Sequence, residues 1–154
     1  MKRPASPAAA GHEAACACSR LRRASRAITR YYDDAMAGAG LRVTQFALLR
    51  NLAREGTVRV TDLATILLLD RTALTRTLDP LLEAGYVAVV RGRDARTREV
   101  SITREGRAAL AAARAPWKRA QAAVARRLGP AKLDALIASL AELEALHPDA
   151  ASAD

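Results

Sequence analysis

Two short amphipathic helical patterns and a hairpin pattern follow one another without a spacer between residues 61 and 102, and this order limits the fold more than any other feature. Thr61 is placed to cap the first helix, which turns Leu63, Ile66 and Leu67 inward. Asp70 caps the second, DRTALTRTLDPLLEAG, with Leu74, Leu78 and Leu81 along one face and Gly85 at its end. The period then changes. YVAVV and EVSI are rich in β-branched residues and flank the polar turn RGRDART, which predicts a two-stranded ribbon. Val58 to Val60 allow one more short strand.

Longer helices bracket this module. From about His12 to Ala37 no breaker interrupts the chain, and Leu21, Ala24, Ile28, Tyr31 or Tyr32, and Ala35 recur at helical spacing until Gly38 and Gly40. A helix through Phe46, Leu48, Leu49 and Leu52 is expected after a cap at Thr44. Thr103 starts another, which Pro116 either kinks or divides, and Gly129-Pro130 separates it from a last helix striped by Leu133, Leu136, Ile137, Leu140, Leu143 and Leu146. Aromatic residues are only 3% of the chain, which disfavours a sandwich or barrel. The expected fold is mainly α with a small β-wing: a winged helix-turn-helix over 42–102 with dimerisation helices at 12–38 and 103–147. Residues 1–11 and 148–154 read as tails. The outer helices carry more apolar surface than so small a module covers, which predicts a homodimer.

The formal net charge of +9 suits a polyanionic partner. Arg71, Thr72, Thr75 and Arg76 fall on the outward face of the 70–84 pattern near its N-terminal end, the end that enters a major groove in helix-turn-helix proteins. Arginine pairs with guanine and threonine meets a thymine methyl or a phosphate, although a solvated amphipathic face gives the same pattern. Arg91, Arg93, Arg96 and Arg98 make the hairpin turn basic and fit it to flanking phosphates or the minor groove. Pro80 removes one backbone donor inside the 70–84 helix, bending it or marking the approach of its end.

The stretches GLRVTQFALLRNL, VTDLATILLLDRTALTRTLDPLLEAGYV and RGRDARTREVSITREG resemble the MarR family of bacterial transcriptional regulators. The similarity extends from about residue 16 to 146, and its most specific part is the pairing of the second stretch with a D-x-R-x-R-x-V-x-I-T-x-x-G wing from Asp94 to Gly106. The resemblance implies a dimeric repressor that grips a pseudo-palindromic double-stranded operator through the 70–84 helix and the wing. It also implies an Asp94–Arg96 ion pair that stiffens the wing. In this family small aromatic or phenolic anions act as effectors, and the residues expected to line such a pocket here are Arg26, Tyr31, Tyr32, Phe46 and Leu49; an ordinary hydrophobic seam is the alternative.

Cys16 and Cys18 have three readings: packing, thiol chemistry, or a soft-metal site completed by a partner chain. Cys18 aligns with the reactive cysteine of the organic-peroxide-sensing branch (OhrR), and Tyr32 with one of the tyrosines that hydrogen-bond it. The other two tyrosine positions are Arg22 and Val43 here. Arginines at 20, 22 and 23 favour a thiolate. On a regular helix the two cysteines would point about 200° apart. No nucleophile with a base and an orienting group is recognisable, so neither an enzyme nor a metal or other cofactor is expected. No apolar run of membrane-spanning length occurs, and a cytoplasmic location follows. The competing function is a basic helical protein that coats nucleic acid without reading its sequence.

Overall fold

The structure, a computed structural model, describes residues 16–92, 94 and 97–147. Outside these lie both expected tails, residues 12–15 of the expected first helix, and Arg93 and Arg96 of the wing, so the Asp94–Arg96 pair also falls outside the description. The elements are α1 (Ala17–Met36), a 3-10 turn (Ala37–Ala39), α2 (Val43–Glu55), β1 (Val58–Arg59), α3 (Val60–Ile66), α4 (Arg71–Glu83), β2 (Val87–Arg91), β3 (Arg98–Ile102), α5 (Arg104–Leu128) and α6 (Pro130–Glu144). This is the mainly helical chain with a small sheet that the pattern predicts.

One core holds the module together. Met36, Leu41, Phe46, Leu48, Leu49 and Leu52 from α1, α2 and the segment between them meet Leu63 of α3, Leu74, Leu78 and Leu81 of α4, and Val87, Val100 and Ile102 of the sheet. Leu110 and Ala113 of α5 close it. The three strands run antiparallel in the order β1-β3-β2. Val87 lies opposite Ile102 and Val89 opposite Val100, which keeps the apolar side of the ribbon on the core.

Side-chain caps set several helix starts. The Asp70 carboxylate accepts from the Ala73 N–H at 2.8 Å, as expected for α4. Thr103 caps α5 by accepting from the Gly106 N–H, and its own hydroxyl donates to the Gly85 carbonyl at 2.7 Å. Two expected caps differ. Helix α2 starts at Val43, before Thr44, because Gln45 accepts from the Arg42 N–H and Asp33, ten residues upstream, accepts from the Val43 N–H at 2.7 Å. Helix α3 starts at Val60, which places Thr61 inside its first turn, with its hydroxyl on Asp62.

Both internal prolines are carried within helices. Pro80 leaves α4 continuous to Glu83, and Pro116 leaves α5 a single helix of 25 residues. The turn between α3 and α4 has no glycine. Leu68 takes it at φ 48°, a left-handed conformation costing roughly 1–2 kcal/mol for a residue with a side chain. The N–H groups of Leu68 and Leu69 donate to Thr65 and Ala64 and hold it.

The outer helices leave their stripes uncovered. Helix α1 buries only Tyr32 and Met36, so Leu21, Ile28 and Tyr31 are exposed. Helix α6 buries no residue; Ile137 is 53% exposed, Leu136 and Leu143 are exposed along the same helix, and Leu146 is exposed just beyond its end.

Candidate nucleic-acid interface

Helix α4 turns Leu74, Leu78 and Leu81 into the core, so the 100° step per residue dictates what faces outward. Thr72, Arg76, Asp79 and Glu83 form the outward row, flanked by Arg71 and Thr75, and all six are exposed. Charge is graded along this row. Arginines occupy the first two turns and acids the last two, so a polyanion is attracted to the N-terminal half and repelled from the C-terminal half. The helix N-terminus adds its own partial positive charge at the same end. Among the described residues the ion pairs are Arg54–Glu55 and Arg104–Glu105, and neither Arg71 nor Arg76 takes part in one. Both guanidiniums keep their donors for an external acceptor.

The ribbon repeats the arrangement. Arg91 and Arg98 are directly opposite each other in the β2–β3 register, and both are exposed. Like charges in that position repel, and an anion between them would remove the repulsion. The wing's turn closes through the Thr97 N–H and hydroxyl, both donating to the Asp94 carbonyl, and through the Gly92 N–H donating to Thr97. Its seat is Thr103, which ties the first turn of α5 to Gly85 and Tyr86, the two residues before β2. Thr103 and Gly106 of the V-x-I-T-x-x-G stretch therefore fix the ribbon's base.

The MarR family model matches residues 41–97, from the start of α2 through the wing turn. The M. tuberculosis transcriptional regulator MosR, solved in complex with DNA, is 37% identical over 82% of this chain and 93% of its own, with a TM-score of 0.73. The chain belongs to the MarR family. A second structure of similar shape is the transcriptional repressor CouR bound to a 23-mer DNA duplex, 28% identical over 83% of this chain and 92% of its own, TM-score 0.75. CouR bound to p-coumaroyl-CoA is 29% identical over 83% and 91%, TM-score 0.72. No curated protein sequence matches the chain. These solved relatives are regulators of transcription.

Within a single chain, the residues expected to line an effector pocket in this MarR-family protein occupy different surroundings. Phe46 and Leu49 are closed inside the core, where Phe46 stacks on Trp117 at 5.4 Å between ring centroids and the Arg50 guanidinium lies 5.5 Å from the Trp117 ring. They turn inward as their spacing predicts, but neighbours in the same chain fill the space. Tyr32 is buried and its hydroxyl donates to Gln121 Oε1 of α5. Burial first, and the adjacent Tyr31 second, push its pKa above the ordinary tyrosine value. Tyr31 packs edge-on to it and is exposed. Arg26 belongs to a separate open cleft of about 430 Å³ with Leu21, Arg22 and Ser25 on the free side of α1. A polar cleft of about 470 Å³ lies where α1 meets α2, lined by Arg30, Asp33, Asp34, Leu41, Arg42 and Gln45 among others.

Cys16 and Cys18 are both exposed, so within the single chain neither is a packing residue. Cys16 precedes the helix with extended backbone, ψ 114°, and Cys18 is in its first turn. Cys16 thus lies just outside the regular helix to which the 200° expectation applies. Among the described residues no group of three or more His, Cys, Asp and Glu is placed to hold a metal ion. None of the described helices is long and apolar enough to cross a membrane. Sequence reasoning passed over Trp117. Its signal was a single tryptophan directly after Pro116 in a helix otherwise dominated by alanine and arginine.

Proposed function

We propose that this chain is a homodimeric, sequence-specific DNA-binding repressor that places the N-terminal half of α4 in the major groove and its wing against the flanking backbone. The observation that carries this reading is the exposed row of Thr72 and Arg76, with Arg71 and Thr75 beside it, next to an Arg91–Arg98 ribbon. Arg71 and Arg76 have no counter-ion among the described residues. The acids at Asp79 and Glu83 restrict entry to the first two turns of the helix. That MosR and CouR have each been solved bound to DNA supports DNA as the partner. The uncovered stripes of α1 and α6 support a second copy of the chain, and two copies of α4 about one helical turn apart suit a pseudo-palindromic operator. The expected place of action is the cytoplasm.

Release from DNA follows from a ligand or a thiol modification that prefers a different spacing of the two α4 helices. A small aromatic or phenolic anion near Arg26, Tyr31 and Tyr32 is one trigger, in keeping with the aromatic acyl ligand of CouR. The exposed Cys16 and Cys18 are the other, and a Cys18→Ser variant that still releases DNA under oxidant would remove Cys18 from that role. The DNA reading is tested by competing an enriched duplex against a scrambled one at fixed salt. A preference of about a thousandfold or more is expected. Equal affinity would favour the non-specific coating protein instead.

A further inference from the structure

Two threonines face outward in the first half of α4, and the structure treats them differently. The Thr75 hydroxyl donates to the Arg71 carbonyl one turn back, at 2.9 Å. No partner among the described residues holds the Thr72 hydroxyl. A hydroxyl has one proton, so Thr75 has no donor left for a phosphate oxygen or for the acceptors of guanine and thymine. Its β-branched side chain has few rotamers in a helix, and this bond selects one of them. Thr75 thus presents a fixed methyl group and oxygen lone pairs to whatever meets α4. The lone pairs suit a base amino group. Arg71 and Arg76 on either side of it disfavour such a partially positive group and favour base edges that carry acceptors. Thymine joins an acceptor, O4, to the C5-methyl group, the apolar feature of the major groove.

We propose that Thr75 reads thymine: its methyl group packs on the C5-methyl of one thymine in each half-site, beside the base contacted by Arg76. This rests on the DNA-binding reading above, and the test separates the two. A duplex is enriched by the wild-type protein from a random pool of about 30 bp, long enough for two half-sites a turn apart. Each thymine is then replaced singly by deoxyuridine, which lacks only the C5-methyl, and affinity is measured for the wild type, Thr75→Val and Thr75→Ser. Valine keeps the methyl and drops the hydroxyl; serine does the reverse. One deoxyuridine position per half-site should weaken the wild type about fourfold, the burial of one methyl. Thr75→Val should show the same sensitivity. Thr75→Ser should bind the thymine duplex about fourfold more weakly per half-site and ignore the deoxyuridine. A Thr75→Val protein that loses binding while Thr75→Ser retains it would overturn the proposal, as would a wild type indifferent to every deoxyuridine in an enriched duplex. A pool that enriches no sequence would overturn the DNA reading along with it.

Discussion

Gly106→Ala should unseat the wing. A Cβ at this position would lie 2.0 Å from the Tyr86 carbonyl oxygen and 2.9 Å from Ile102 Cγ1. An ordinary carbon–oxygen contact is about 3.3 Å or longer, so α5 and the start of β2 must separate by roughly 1.3 Å. The oxygen belongs to the backbone and cannot swing aside. Separation stretches the Thr103 N–H bond to the Tyr86 carbonyl, 3.0 Å, and the Thr103 hydroxyl bond to the Gly85 carbonyl, 2.7 Å. Each is worth about 1 kcal/mol net, and overpacking adds about 2 kcal/mol. Alanine's better helix propensity returns at most about 1 kcal/mol. The net loss is about 3 kcal/mol, which lowers Tm by roughly 6–12 °C for a chain of this size. Thermal unfolding followed by circular dichroism, at equal protomer concentration because dimerisation shifts Tm, measures it. Gly38→Ala is the control: its Cβ meets nothing within 4 Å, and its Tm should stay close to that of the wild type. An unchanged or higher Tm for Gly106→Ala would mean that the contact between α5 and the start of β2 has room for a methyl group.

Arg76→Ala removes an exposed side chain with no ion pair, so specific DNA affinity should fall by about 1–3 kcal/mol while Tm barely moves; equal loss of both would remove Arg76 from a direct role. Ile137→Asp places a carboxylate on the uncovered stripe of α6 and should weaken self-association by about 3 kcal/mol or more, seen as monomer in analytical ultracentrifugation; an intact dimer would locate the interface elsewhere. Tyr32→Phe loses the bond to Gln121 and should cost about 1 kcal/mol at neutral pH in urea unfolding. Because the Tyr32 pKa is raised in the folded state, its contribution is complete below about pH 10 and lost as pH rises through the folded value. The wild type should therefore lose its stability advantage over Tyr32→Phe in that alkaline window; an advantage independent of pH would contradict the raised pKa.

The order of elements was legible because local chemistry sets it. Asp70 and Thr103 cap their own helices, and Leu74, Leu78 and Leu81 orient α4, so its exposed face followed from spacing alone. The N-caps of α2 and α3 are Arg42 and Arg59, each two residues before the threonine expected to cap the helix. In α2 the Val43 N–H is met by Asp33, from another helix, which a local capping rule does not include. The turn between α3 and α4 was illegible for a different reason: the run Leu67-Leu68-Leu69 carries no turn residue, and Leu68 takes its left-handed conformation between two leucines, Leu67 and Leu69, that pack against the core. Phe46 and Leu49 show the limit of periodicity. It says that they point inward, and it does not distinguish a cavity wall from a filled core. The donor state of Thr75 depends on a rotamer, which the residue's identity leaves open.

Two copies of the chain are expected to present their α4 helices to successive major grooves. A hydroxyl-radical footprint on the enriched duplex, combined with the stoichiometry of the complex, tests it most directly. Two protomers per site and two protected half-sites centred about 10 bp apart are expected, with Arg76→Ala protecting neither at the same concentration. A single protected patch with one protomer, or uniform protection along the duplex, would contradict it.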